Sequence, residues 1–209
     1  MRARVLLAIT ALLMAIVSTV AIGSNMGFKI AIPLINDGNS TTANWVSLPY
    51  YNSYTDAASV KADIGPNFAS ITRWDNTSHS YKTYAGGPNN FPIIPGEGYL
   101  IKTVNGTGTT NWVVVGSHNP TLAISLINDG NSTTANWISV PYHTTAVNAA
   151  GLKTEIGPNC ASITRWDNAS HSYKTYTGGP NNFTLTPGEA VLVKMVNGSG
   201  TTNWTPAHY

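Results

Sequence analysis

The most reactive-looking stretch of the chain is RWDNTSH. It sets Arg73, Asp75 and His79 within seven residues and returns as Arg165, Asp167 and His171. An aspartate and a histidine so close together are the pair from which a metal site or an acid–base couple is built. The flanks argue otherwise. ITRW and SYKTY read as the two strands of a hairpin, and DNTSH between them is rich in residues that bond their own backbone. The turn is the preferred reading. INDGN (35–39) resembles a fragment of a calcium loop, but a calcium cage needs several carboxylates and each copy supplies one here. A turn entering the next strand is again preferred. Neither copy holds a G-x-S-x-G elbow, a pair of metal-spaced histidines or a P-loop. Both copies keep the same polar residues, so neither half looks specialised for catalysis. No enzymatic activity, cofactor or metal is expected. Cys160 is the sole cysteine, which excludes an intramolecular disulfide. Its aligned partner is Phe68, so a buried core thiol is expected rather than a nucleophile.

The elements that carry these residues form an ungapped tandem repeat. Trp45, Trp74 and Trp112 recur as Trp137, Trp166 and Trp204, each 92 residues on. Roughly two thirds of aligned positions are identical from Phe28 onward. The expected organisation is residues 1–23 as a leader, 24–117 as a first β-domain and 118–209 as a second. Within a copy, WVSLPY (45–50), ASITRWD (69–75), SYKTY (80–84), YLIKTV (99–104) and NWVVVG (111–116) are short runs rich in aromatic and β-branched residues, separated by Gly-, Asn- and Pro-rich turns. TDAASVKADIG (55–65) predicts one short helix with Thr55 as cap, an apolar stripe at Ala57, Val60 and Ile64, and Gly65 as stop. VNAAGLKTEIG (147–157) is its counterpart. The fold class expected is all-β: two tandem β-sandwich or Greek-key-like domains, each with one short helix.

Composition points outward from the cell. Charged residues are 10% of the chain, while Asn, Thr, Ser, Gly, Tyr and Trp are plentiful. The start, MRAR followed by an apolar run to Gly23, reads as a secretory signal cleaved before Ser24, with retention of residues 5–23 as an anchor the alternative. Removing Arg2 and Arg4 leaves basic and acidic residues in equal number, so no electrostatic footprint for nucleic acid or an anionic membrane surface is expected. Residues 24–209 then span close to two repeat periods. N-x-S/T sequons stand at Asn39, Asn76, Asn105, Asn131, Asn168, Asn182, Asn197 and Asn203. Most fall in predicted turns, where covalent glycans project without disturbing a core.

The succession NWVSLPY, ASITRWD, SYKTY, PGEGYLIK and NW resembles tandem β-modules in secreted and surface proteins of bacteria and archaea. The arrangement that begins with SNMGFKIAIPL is also similar to subunits of glycosylated extracellular fibrils, in which an N-terminal strand completes the β-domain of the next subunit. That resemblance implies a head-to-tail homopolymer, secreted or on the cell surface. In FKIAIPLI, Phe28, Ile30, Ile32 and Leu34 form one face, the expected polymerisation strand. In TLAISLI, Leu122, Ile124 and Leu126 form the matching face, expected in a strand shared between the two domains. Copy two ends in NWTPAHY where copy one has NWVVVGS, so its last strand is expected to be completed by another subunit's N-terminal strand, with the subunit interface repeating the join between the halves. The alternative is a monomeric adhesin or carbohydrate-binding module, with exposed Tyr and Trp stacking on sugars.

Overall fold

The computed structural model describes residues 27–106 and 108–208, so the expected signal or anchor at 1–23 lies outside the described residues. Copy one comprises β1 (Phe28–Leu34), β2 (Asn44–Ser47), β3 (Tyr51–Asn52), α1 (Ala57–Ile64), β4 (Phe68–Asp75), β5 (Ser80–Tyr84), β6 (Gly98–Thr103) and β7 (Thr110–Ser117). Copy two repeats the order with β8 (Ile124–Leu126), β9 (Asn136–Ser139), α2 (Ala149–Ile156), β10 (Cys160–Asp167), β11 (Ser172–Tyr176), β12 (Ala190–Met195) and β13 (Thr202–Trp204). Among the described residues the fold is all-β with one short α-helix in each copy, as the patterning predicts.

In copy one a four-stranded antiparallel sheet, β2-β6-β4-β5, faces a three-stranded sheet, β1-β7-β3. Alternate residues of both sheets meet in one core: Ile32, Leu34, Trp112 and Val114 from the smaller, Val46, Ile71, Tyr99 and Ile101 from the larger. Period-two alternation is what lets each strand give one face to that core and the other to water. α1 closes the end of the sandwich with Ala57, Val60 and Ile64, all buried as expected. Its cap is Asp56 rather than Thr55: the Asp56 carboxylate accepts from Ser59 N while Ser59 Oγ accepts from Asp56 N, a reciprocal box that a threonine one residue earlier would miss. In α2 the cap is Asn148, and Ala149, Leu152 and Ile156 are buried.

Copy two builds the same larger sheet, β9-β12-β10-β11, but its smaller sheet is shorter. β8 and β13 pair over three residues, Ile124 to Leu126 against Trp204 to Thr202, where β1 and β7 pair over seven. The sequence explains the loss. Pro206 replaces Val114 and Pro120 replaces Phe28, and proline has no amide hydrogen to donate to a ladder. Cys160 sits in the core of copy two, 1% exposed, in the place Phe68 holds in copy one.

Between the two cores lies a third cluster around Trp45 and Trp137, with Ala190 buried among them. The contacts across it come in reciprocal pairs. Ser47 N donates to Gly188 O and Ser139 N to Gly96 O, both at 2.9 Å. Ala43 N donates to Asn168 Oδ1 at 3.1 Å and Ala135 N to Asn76 Oδ1 at 3.0 Å. Two residue pairs meet their own counterparts: Trp45 stacks on Trp137, and Ser47 Oγ lies 2.5 Å from Ser139 Oγ. Residue i touching j while the counterpart of j touches the counterpart of i is the signature of a twofold relation. The copies are therefore packed side by side about a pseudo-twofold axis.

Candidate functional site

The first strand is the element on which the fibril resemblance turns. β1 pairs antiparallel with β7 of its own copy, from Phe28 opposite Gly116 to Leu34 opposite Thr110. Phe28, Ile30, Ile32 and Leu34 share the inward face; Ile32 and Leu34 are buried, Phe28 and Ile30 half-buried. Lys29, Ala31 and Pro33 point to solvent, so one face of this strand is buried and the other exposed. β7 lies between β1 and β3, and β1 forms the edge of the sheet. An edge is where Pro33 is tolerated.

Leu122, Ile124 and Leu126 likewise share a face, turned into the core of copy two. Among the described residues the strand pairs with β13 alone, within its own copy. What crosses the boundary is side-chain contact. A Cβ on Gly188 would lie 3.1–3.2 Å from Ile32 and Ile30, and one on Gly96 would lie 2.8 Å from Ile124. Each first strand is thus roofed by the PGE loop of the opposite copy, whose glycine, at a φ of +86° or +87°, both makes the turn and leaves room.

The acceptor expected at NWTPAHY is occupied by the chain itself. β13 carries β8 on one side, and just beyond it Thr144 bridges His208 in the register that Asn52 and Gly116 hold in copy one. An interface between subunits that repeats the join between the halves would also have to repeat a twofold, and a twofold closes on itself.

The RWDNTSH and INDGN motifs, weighed separately as chemistry, meet each other across the pseudo-twofold. His79 Nε2 stands 3.1 Å from Asp129 Oδ2, and His171 Nε2 stands 3.1 Å from Asp37 Oδ2. Both histidines adopt φ +47°, a left-handed conformation uncommon outside glycine, at the tip of the β4–β5 or β10–β11 turn. Asp37 and Asp129 are held below the usual carboxylate range, first by the hydroxyls of Thr42 and Thr134 and then by backbone amides. Asp75 and Asp167 do not face these histidines. Each turns back on its own hairpin, taking Lys82 or Lys174 at 2.6–2.7 Å and the hydroxyl of Ser78 or Ser170. Arg73 pairs with Glu97 at 2.8 Å and Arg165 with Glu189 at 3.5 Å. The reactive-looking residues are consumed by pairing, with no aspartate–histidine couple inside either motif.

The sequons divide into two groups. Asn39, Asn105, Asn131, Asn182, Asn197 and Asn203 are exposed. At Asn39 and Asn131 the sequon threonine donates its hydroxyl and amide to the Asn Oδ1, which turns the amide nitrogen outward. Asn76 and Asn168 are different. Their Oδ1 atoms accept from the indole N–H of Trp74 or Trp166 at 2.7–2.8 Å and from the opposite copy's Ala135 or Ala43 amide. These two side chains pin the seam between the copies, and a glycan on either would project from that seam.

Sequence reasoning missed one cluster. His118, from the residues joining the copies, His143, from the loop after β9, and His208, beyond β13, bring one ring nitrogen each to within 4.8 Å of one another. No spacing motif announces it. A signal was nonetheless present: the aligned positions of His143 and His208 are Tyr51 and Gly116, so these histidines break the repeat.

No family model matches the chain, and no curated protein or solved structure is significantly similar to it.

Proposed function

We propose that this chain is a secreted structural subunit that assembles into an extracellular, glycosylated filament by exchange of its first strand, without catalytic activity. The observation that carries this reading is the position of β1. It is an edge strand, joined to the remainder by the Asn- and Gly-rich loop 35–43, and its partner β7 presents a complete seven-residue acceptor register. The acceptor in a neighbour is β7 vacated by that neighbour's own β1, not the already filled β13.

Exchange conserves contacts. Lifting β1 from its own copy uncovers two buried and two half-buried large side chains, a loss on the order of 5–9 kcal/mol, and the same burial is recovered on the neighbour. The balance is then set by concentration and by strain in the loop, as in any swap of an identical element. An open swap passes from subunit to subunit and makes a fibre; a closed one stops at a dimer. Six exposed sequons would clothe such a fibre with glycan. The test is negative-stain microscopy of residues 24–209 beside a form lacking 24–35. The full form should give fibres and the truncated form none; fibres from the truncated form, or none from the full form, would overturn the proposal.

One observation favours the alternative of a carbohydrate-binding surface module. Tyr81 and Tyr173, each 51% exposed, flank the Trp45–Trp137 stack and pack edge-on against Trp74 and Trp166 at 4.8–4.9 Å. Two half-exposed rings on one aromatic seam offer a platform for a sugar face. A shift on a glycan array that is lost in Tyr81→Ala would favour that reading.

A further inference from the structure

The chain contains five histidines. The two that recur in the repeat, His79 and His171, are paired with carboxylates; the other three converge. Their rings are packed together, with centroids 3.6 Å apart for His118 and His143, 4.5 Å for His118 and His208, and 5.6 Å for His143 and His208. Three imidazoles drawn from three separate segments are a poor way to fill space, because each ring carries two polar nitrogens. His118 illustrates the cost: both of its ring nitrogens are shielded from water and neither has a hydrogen-bond partner.

The geometry points to a site for one late first-row divalent cation, Zn²⁺ or Cu²⁺ by ligand type, held by His118, His143 and His208. Imidazole nitrogen is the donor these ions prefer, and with no carboxylate in the cluster it does not suit calcium or magnesium. Ligands at 2.0–2.1 Å from a tetrahedral zinc stand about 3.3 Å apart. The ring nitrogens lie within 4.8 Å of one another, and small side-chain rotations on binding would draw them to that spacing. His208 is also oriented for the task. Its Nδ1 lies 3.3 Å from the Pro206 carbonyl, a contact that favours the tautomer with the proton on Nδ1 and the Nε2 lone pair open to a metal.

Position suggests what the cation does. His118 follows β7 directly, His143 adjoins the residues that bridge the segment after β13, and that segment is otherwise held by Ala207 O accepting from Thr145 N and Ala207 N donating to Glu155. Beside the cluster, Tyr142 packs on Phe28 with ring centroids 3.6 Å apart. The metal would clasp the join between the copies to the last segment of copy two, next to the first residue of β1, in the place where the proline-shortened ladder of copy two is weakest.

Calorimetric titration of the untagged chain with ZnCl₂ and with CuCl₂, together with elemental analysis after gel filtration, tests the site. One equivalent per chain is expected. His208→Ala and His118→Ala should each weaken binding on the order of 100-fold, while His79→Ala and His171→Ala leave it unchanged. His208 is exposed, so its variant keeps the fold and decides the matter if His143→Ala does not fold. Hydrogen exchange of residues 142–145 and 205–208 should slow on adding zinc and recover with chelator. Unchanged affinity in His208→Ala, or no binding by the parent chain beyond what His79 and His171 account for, would overturn the assignment.

Discussion

The indole of Trp45 lies flat on the indole of Trp137, with ring centroids 3.4 Å apart and planes 4° from parallel. These are the same residue in two copies of one sequence, so the stack marks the pseudo-twofold axis. Two coupled indoles give a paired signal in the aromatic-exciton region of the far-ultraviolet circular dichroism spectrum. Trp45→Phe should abolish that couplet while leaving the β-sheet signal. Trp45→Ala should cost about 3–5 kcal/mol in denaturant unfolding, because a ring 5% exposed leaves a cavity at the seam.

Nearby, Gly98 faces Ala190, its own counterpart in the repeat. A Cβ built on Gly98 falls 2.5 Å from the Ala190 Cβ and 3.2 Å from Ile138 O. Two alanines do not fit at the axis, and a fused pair, unlike a homodimer, can make one of them glycine. Gly98→Ala should destabilise the chain by about 1–3 kcal/mol. Adding Ala190→Gly should restore most of that loss, and a double-mutant cycle reads the coupling directly.

How much of this was legible in the sequence depends on the range of the interaction. β5, β11 and the apolar stripes of α1 and α2 follow from local patterning, and they appear where the residues place them. The Asp56 cap was missed by one residue because Asp and Thr are both good caps and only the reciprocal bond to Ser59 decides. The partner of β1 was not legible, since alternation fixes which face is buried but not which strand lies alongside. The seam was hidden for another reason: Asn76, His79 and Asp129 look like ordinary turn residues until the copies are packed together.

Acid should loosen the fold in a defined window. Asp37, Asp75, Asp129 and Asp167 all have carboxyls held low, Asp75 by Lys82 and then Ser78, Asp167 at about 2 by Lys174 and then Ser170. A depressed folded value means stability that is complete above the ordinary value of 3.8 and lost as pH falls through the folded one. Glu97 and Glu189 act in the opposite sense, because burial raises them above 4.5; they favour the folded state as they take up protons. The denaturation midpoint should hold or rise slightly from neutral pH to about 5, as Glu97 and Glu189 take up protons, and fall below about 4. Asp75→Asn and Asp167→Asn should flatten that fall.

Cys160 offers a probe of integrity. Burial pushes its thiol up to about 11, against a weaker lowering from Lys153. An aromatic disulfide reagent should therefore leave the native chain unlabelled at neutral pH and react with one thiol per chain at the rate of unfolding. Prompt labelling of the folded protein would contradict the buried placement.

Strand exchange is the central claim, and the pairing of Lys29 with Val115 tests it most directly. These residues stand opposite one another in the β1–β7 ladder, and both are exposed. Cysteines at both positions are within disulfide reach wherever β1 and β7 are paired, whichever chains they come from. The Lys29→Cys/Val115→Cys chain is refolded at high concentration, oxidised and run on a denaturing gel without reductant. Exchange predicts a ladder of covalent multimers that collapses to one band on reduction. A single internally cross-linked monomer at every concentration would contradict it.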